Sequence, residues 1–274
     1  MKQWNGRKSM ICLLILFTAL LAAVTIAGQL YRTEAMVTDF SRKNMPPCLS
    51  HPFGTDWMGR DMFVRTLTGL SMSIRIGLLT AAVSTVIAFF LGLFAASMGK
   101  AADGLVNGLI DLVMGIPHIL LLVLISFAIG KGFKGVVVGI SLTHWTSLAR
   151  LIRGEVLQLK ESQYIKIARK LGHGGFKTAL KHMTPHLIPQ LLVGLVLLFP
   201  HAILHEASIT FLGFGLSPEQ PAIGVILSES MKYLAMGKWW LALFPGVLLV
   251  AVVLLFHLTG EMVSRLMDPG ALHQ

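Results

Sequence analysis

The sequence predicts an all-α polytopic membrane protein with six transmembrane helices and both termini cytoplasmic. Three observations carry this expectation. Of the 274 residues, 54% are hydrophobic and 13% charged, whereas roughly a quarter of a soluble domain is charged. The apolar residues gather in runs of about 20, the length that crosses a hydrocarbon core. Between the fourth and fifth runs, Arg150 to Pro189 holds eight basic residues against Glu155 and Glu161, and Lys/Arg-rich loops are retained on the cytoplasmic side.

The elements follow in order. Lys2, Arg7 and Lys8 precede an apolar run from Met10 to about Leu30. It exceeds the roughly 7–15 residues of a signal-peptide core, so it is read as a retained first span with its N-terminus inside. Tyr31 to about Ser71 is a polar, charge-balanced loop expected outside, in which Asp61 to Leu70 is expected as a surface amphipathic helix. Span two is placed at about Ile74 to Met98 and span three at about Gly104 to Ile129, kinked at Pro117. Asp103, Asn107 and Asp111 repeat every four residues and so share one helix face, which should meet protein or water rather than lipid. Span four is placed at about Gly135 to Leu151 and span five at about Leu187 to Leu212. A polar stretch with a short helix from Ala222 to Leu234 then leads to span six, about Trp239 to Leu258, which opens on the interfacial pair Trp239-Trp240.

Charge and cysteine content exclude other classes. The net charge of +10 is interrupted by long apolar runs, unlike the basic exposed surfaces of nucleic-acid binders, so no nucleic-acid partner is expected. Cys12 and Cys48 lie in an apolar run and a polar loop, with no metal-type spacing. No paired carboxylates or Ser-His arrangement supports a membrane enzyme. A proton-coupled carrier would want mid-membrane carboxylates, whereas Asp111 and Glu206 lie nearer span ends.

The basic segment reads as a helix, a glycine bend and a second helix. Ile165, Ala168 and Leu171 or Gly172 share a face of the first; His173-Gly174-Gly175 break it; the second runs from Phe176 to about Met183 and is expected to stop at Pro185. Gly172 to Thr178 superficially suggests a phosphate-binding loop, but such a loop needs Gly directly before the Lys and a preceding strand. Phe176 precedes Lys177 and a helix precedes the bend, so no ATP site is expected here. The shape suits docking on a partner.

Phe53-Gly54-Thr55-Asp56, Gly59-Arg60-Asp61 and Arg65 are similar to the LGTDxxGRDxxSR signature of the C-type permeases of dipeptide, oligopeptide and nickel ABC importers. Lys166-Ile167-Ala168, Gly172 and Met183-Thr184-Pro185 resemble that family's EAA motif, with Lys166 for the acid, Ile167 for the first alanine and Thr184 for the leucine. Phe211-Leu212-Gly213-Phe214-Gly215 and Asp268-Pro269 are also typical of it. The resemblance implies a type I ABC importer permease fold. It divides the chain into a tail and first helix (1–30), an extracytoplasmic loop (31–71), a permease core (72–265) with a coupling loop at about 152–186, and a tail (266–274). It further implies a homologous second permease, two ATP-binding subunits that hold ATP and Mg²⁺, and an extracytoplasmic binding protein. Coupling to the ATPase would fall on Lys166, Ile167, Ala168, Gly172, His173, Gly174 and Gly175, and this chain itself would bind no cofactor.

For cargo, His201 and His205 are spaced i and i+4 and so share a helix face in span five, followed by Glu206. Neutral imidazoles so placed can touch a transition metal or a metal chelate in transit, without completing a metal shell. Hydrogen bonding to a partner helix is the other reading. With His144-Trp145 in span four, the set looks more like nickel and metallophore permeases than general peptide permeases. The expectation is therefore nickel or metal-chelate import, with di- or oligopeptide import as the alternative.

Overall fold

The computed structural model describes residues 6–170 and 175–267. Among the described residues all regular structure is helical. The long helices are α1 (Gly6–Leu30), α2 (Met62–Ser97), α9 (Thr184–Phe211) and α11 (Trp240–Met267). Shorter ones are α3 (Lys100–Gly115), α4 (His118–Ile129), α5 (Phe133–Thr143), α6 (Trp145–Glu161), α7 (Gln163–Lys170), α8 (Gly175–Thr178) and α10 (Ile223–Leu234). Five helical stretches are long and apolar enough to cross a membrane, with α5 and α6 forming one of them. The pair α3 and α4, bent by 99°, makes a sixth if counted as one span.

The 36-residue α2 is the central post, packing against α1, α3, α5, α6, α9, α10 and α11. Span two therefore starts at Met62, and the expected surface helix at Asp61 to Leu70 is its first turns. Thr66, Thr68, Ser71 and Ser73 break the apolar pattern there, yet all are buried. The Thr66 and Thr68 hydroxyls bond back to the carbonyls of Met62 and Val64, and Ser71 donates to Thr25 of α1. Polarity that looked like an interface is internal satisfaction of buried hydroxyls.

Apolar clusters among the described residues surround α2, three of them large. One joins Leu93, Ile110, Leu148, Ile152, Ile165 and Leu187 across α3, α6, α7 and α9. A second joins Leu21, Leu70, Phe199, Ile203 and Leu249 across α1, α9 and α11. A third joins Ile76, Leu122, Ile140, Ala202 and Val225 across α4, α5, α9 and α10. Away from them, large side chains such as Ile15, Leu16, Leu124, Phe127, Val247 and Leu254 are exposed. Apolar helix faces turned outward on this scale are lipid-facing or partner-facing.

The predicted kink at Pro117 is a sharp break rather than a bend, because Ile116 is extended and Pro117 precedes the new helix. A residue before proline is driven out of the helical region, which ends α3 cleanly. Of the polar stripe, Asp103 and Asn107 bond each other and Arg153 forms a bidentate pair with Asp103, whereas Asp111 is largely exposed and meets Arg150 at 3.0 Å. Both arginines belong to α6, which extends to Glu161 instead of ending near Leu151.

Pro185 starts a helix instead of stopping one. The chain passes from α8 through a π-helical turn, Ala179–Met183, directly into α9, with Pro185 in its first positions. At a first helical turn the missing proline N–H has no intrahelical partner to lose. At the far end of α9, Gly213 adopts φ 83°, and the Phe214 N–H returns to Ile209 at 2.9 Å. Gly132 N–H donates to Gly215 at 3.0 Å, so the α4–α5 and α9–α10 connections lie at the same end of the bundle.

Candidate functional site

Two sites stand out, a buried polar clasp at the start of α2 and an imidazole-lined cavity deeper in the bundle. The clasp is built from the Gly54-Thr55-Asp56 and Gly59-Arg60-Asp61 signature. Asp56 is buried; its Oδ1 accepts the N–H groups of Met58 and Arg60 at 2.8 and 3.0 Å. Its Oδ2 accepts Arg60 Nε at 2.6 Å and Arg65 Nη1 at 2.9 Å. The second nitrogen of each guanidinium reaches Glu229 of α10, at 3.4 Å from Arg60 and 2.8 Å from Arg65. Asp61 caps α2 through the N–H groups of Phe63 and Val64, while His51 Nδ1 lies 2.6 Å from its other oxygen. The Thr55 hydroxyl donates to the Arg42 carbonyl and accepts Met45 N–H at 2.9 Å.

Geometry explains the glycines of this motif. Gly54 and Gly59 have φ of 72° and 75°, a region costly for residues with a Cβ. A Cβ on Gly59 would lie 1.7 Å from the Asp39 carbonyl oxygen. Asp39 in turn caps the short 3₁₀ turn Phe40–Arg42, and the Ser41 hydroxyl and N–H hold its carboxyl below the ordinary carboxylate range. The signature side chains thus point inward and tie the loop to α2 and α10.

The cavity holds about 360 Å³ and is lined by His118, His144, His201 and His205 together with Thr143 and Ser147, among others. Two breaks in regular structure and one helix interior place the rings. His118 opens α4 just after the Pro117 break, His144 sits at the α5–α6 junction, and His205 projects from α9. Counting about 1.5 Å per helical residue, His118 and His144 both lie about 17 Å along their helices from the Gly130–Gly132 turn. Ring centroids are separated by 4.7 Å (His118–His144), 4.4 Å (His118–His205) and 5.0 Å (His144–His205). One ligating nitrogen from each falls within 4.8 Å of the others. His144 Nδ1 lies 3.0 Å from the Ile140 carbonyl and 3.1 Å from the Thr143 hydroxyl; with the Nδ1 proton directed at the carbonyl, the Nε2 lone pair is free. The buried Nε2 atoms of His144 and His118 have no partner among the described residues.

Of the cargo-path residues expected from the sequence, the structure brings His144, His201 and His205 to one cavity. Glu206 is not among its lining residues. It turns into the bundle, where it is fully buried and accepts the Thr210 hydroxyl at 3.0 Å through Oε1, while its Oε2 has no hydrogen-bond partner among the described residues. His118 was absent from the sequence reading. Its signal was the Pro117-His118 step, since the residue after a helix-breaking proline sits at the corner of the broken span.

The α6–α9 connection forms a third feature. In α7, Ile165 and Ala168 are buried, while Tyr164, Lys166 and Ile167 are exposed. Lys166 pairs with Glu161 at 2.9 Å, and Tyr164 Oη lies 2.7 Å from His182 Nδ1. Gly175 begins α8; Gly172, His173 and Gly174, like Asp268 and Pro269, lie outside the described residues.

These features define a multi-pass, all-helical membrane permease with a broken span and a helical elbow. Residues 88–271 match the family described as binding-protein-dependent transport system inner membrane components, and the chain belongs to that family. It is a bacterial inner-membrane ABC-importer permease. A Brucella suis protein named for a peptide transport system permease is 33% identical over 263 residues, covering 96% of this chain and 88% of that one. The dipeptide transport system permease protein DppC of Bacillus subtilis is 29% identical, covering 84% of this chain and 72% of its own. OppC, the oligopeptide permease of the same organism, is 29% identical, covering 97% of this chain and 86% of its own. Among solved structures, an inward-facing MetNI methionine ABC transporter matches with a TM-score of 0.61 at 19% identity, covering 76% of this chain and 98% of that chain.

Proposed function

We infer that this chain forms half of the translocation channel of an ATP-driven, binding-protein-dependent importer. A homologous second permease supplies the other half, an extracytoplasmic binding protein delivers cargo, and two cytoplasmic ATP-binding subunits, which hold ATP and Mg²⁺, drive the cycle. The basic α6–α9 connection faces the cytoplasm with both termini, and the Asp56 clasp lies on the side of the binding protein.

The observation that carries the coupling role is the two-sided build of α7. Ile165 anchors it to the apolar cluster that also holds Leu93, Ile152 and Leu187, and Ala168 is buried beside it, so a push on α7 passes into α6 and α8 and through the shared cluster to α2 and α9. Its outward face presents Tyr164, Lys166 and Ile167 to a partner. An exposed apolar residue beside a cation on a short helix is a docking face, and buried anchors beneath it transmit displacement because packed interiors are stiff. Gly175, which opens α8, belongs to the same connection.

For cargo, the peptide-transport names of the relatives support di- or oligopeptide import, the sequence alternative, better than nickel or metallophore import. The metal reading has a specific observation of its own in the imidazole-lined cavity. Proteoliposomes holding the full complex separate the two. ATP-dependent accumulation of a labelled dipeptide is the expected result; nickel uptake without dipeptide uptake would replace the peptide reading with the metal one.

A further inference from the structure

We propose that His118, His144 and His205 form a binding site for a divalent transition-metal ion, with His201 as a fourth imidazole on its rim. The metal enters as passing cargo and not as a resident cofactor. The placement within a conduit rests on the permease reading above, whereas the binding site stands on the side chains.

The donors have the right chemistry. Imidazole nitrogens suit borderline ions such as Ni²⁺, Co²⁺, Zn²⁺ and Cu²⁺. The His144 ring is oriented at Nδ1 by the Ile140 carbonyl and the Thr143 hydroxyl, the kind of second partner that positions a metal-binding ring with Nε2 outward. Among the described residues, the buried Nε2 atoms of His118 and His144 have no partner although each stands beside another ring. A core histidine in a structural role would bond both nitrogens, because an unpaired buried polar atom costs about 1–3 kcal/mol.

The geometry favours transit over permanent residence. Nitrogens bound at about 2.1 Å to a tetrahedral ion stand roughly 3.4 Å apart. Here they spread to as much as 4.8 Å, so binding draws the rings together by about an ångström. Three protein donors leave coordination positions open, as in sites that exchange their ligands and unlike the closed four-ligand structural sites. His201, one helical turn from His205, lines the same cavity and offers a next donor along α9.

Among the described residues that line the cavity there is no carboxylate to offset the charge of a dication. Donors travelling with the ion fill the open positions and neutralise it. A peptide, whose terminal amine, deprotonated amides and carboxylate can all ligate, meets that need, as does a small carboxylate chelator. The site therefore takes a metal chelate and is compatible with peptide-permease relatives.

The test uses the purified complete transporter in nanodiscs, without ATP, titrated with Co²⁺ alone and with Co²⁺ premixed with equimolar L-histidine. The expected result is one ion per copy of this chain, with the visible absorption of imidazole-bound Co²⁺. His118→Gln, His144→Gln and His205→Gln should each weaken binding by about tenfold or more, the scale set by loss of even a supporting partner of a ligand. The exposed His257→Gln should not change it. Absence of binding in both titrations, or binding unaffected by all three substitutions, overturns the proposal. Should the variants fold poorly, pulsed EPR of Cu²⁺ bound to the unaltered complex counts coordinated imidazoles, and fewer than two likewise overturns it. ATP hydrolysis stimulated by the binding protein is measured in parallel. If it persists without metal binding, the site is wrong and the permease reading stands; if it is absent while metal binds, the reverse holds.

Discussion

Arg65 Nη2 lies 2.8 Å from Glu229 Oε2 across 164 residues of sequence, joining the first turn of α2 to α10. Arg65 is 2% exposed, and its other terminal nitrogen is bound by Asp56. The signature loop is therefore a structural clasp that fixes where the longest helix begins.

Replacing Arg65 with Met leaves Asp56 facing Arg60 alone and frees Glu229 from its closest cation. Removing one partner of a buried ion network costs about 3–5 kcal/mol. Thermal unfolding of the solubilised complex should fall by several degrees, and the amount of inserted protein should drop. An unchanged midpoint would show the clasp to be dispensable.

Gly59→Ala should be as damaging despite adding one methyl group. The Cβ would lie 1.7 Å from a backbone oxygen at φ 75°, so the loop must shift. Limited proteolysis between Asp39 and Arg60 should accelerate. Resistance equal to the parent protein would refute the argument.

Glu206 accepts the Thr210 hydroxyl and does not line the imidazole cavity. Glu206→Gln keeps a carbonyl acceptor for Thr210 and should retain uptake, whereas Glu206→Ala strands that hydroxyl beside a cavity and should cost about 2 kcal/mol or more. Loss of uptake in a stable Gln variant would return Glu206 to the transport path.

Ile167→Asp alters only the exposed face of α7. Stability should be unchanged within about 0.5 kcal/mol, as for surface substitutions generally, while ATP-driven uptake falls steeply. Equal loss of stability and uptake would remove the docking interpretation.

Much of this architecture was legible in the residues, because apolar length and basic loops obey strong rules in a bilayer. The Asp103, Asn107 and Asp111 stripe announced a side that meets protein or water, and the structure supplies Arg153 for Asp103 and Arg150 for the exposed Asp111. Prolines were read less well. Pro185 is equally consistent with ending one helix and starting another, and only the π-turn running into α9 decides. At Pro117 the sequence located a disturbance but not its 99° size. The start of α2 was obscured because buried hydroxyls look like solvent-facing ones until their carbonyl partners are known.

The site was half visible. An i, i+4 pair such as His201 and His205 can be read along one helix, whereas His118 and His144 join them only through tertiary packing of separate spans. Glu206 looked equivalent to its neighbour His205, but successive helical residues point about 100° apart. One residue therefore faces the cavity and the next faces α2.

Uptake by the reconstituted complex, with and without a hydrolysis-deficient substitution in the ATP-binding subunits, tests the central claim most directly. Labelled cargo delivered by the binding protein should accumulate with ATP in the unaltered complex and stop when hydrolysis is blocked. Undiminished accumulation with the inactive ATPase would contradict the account.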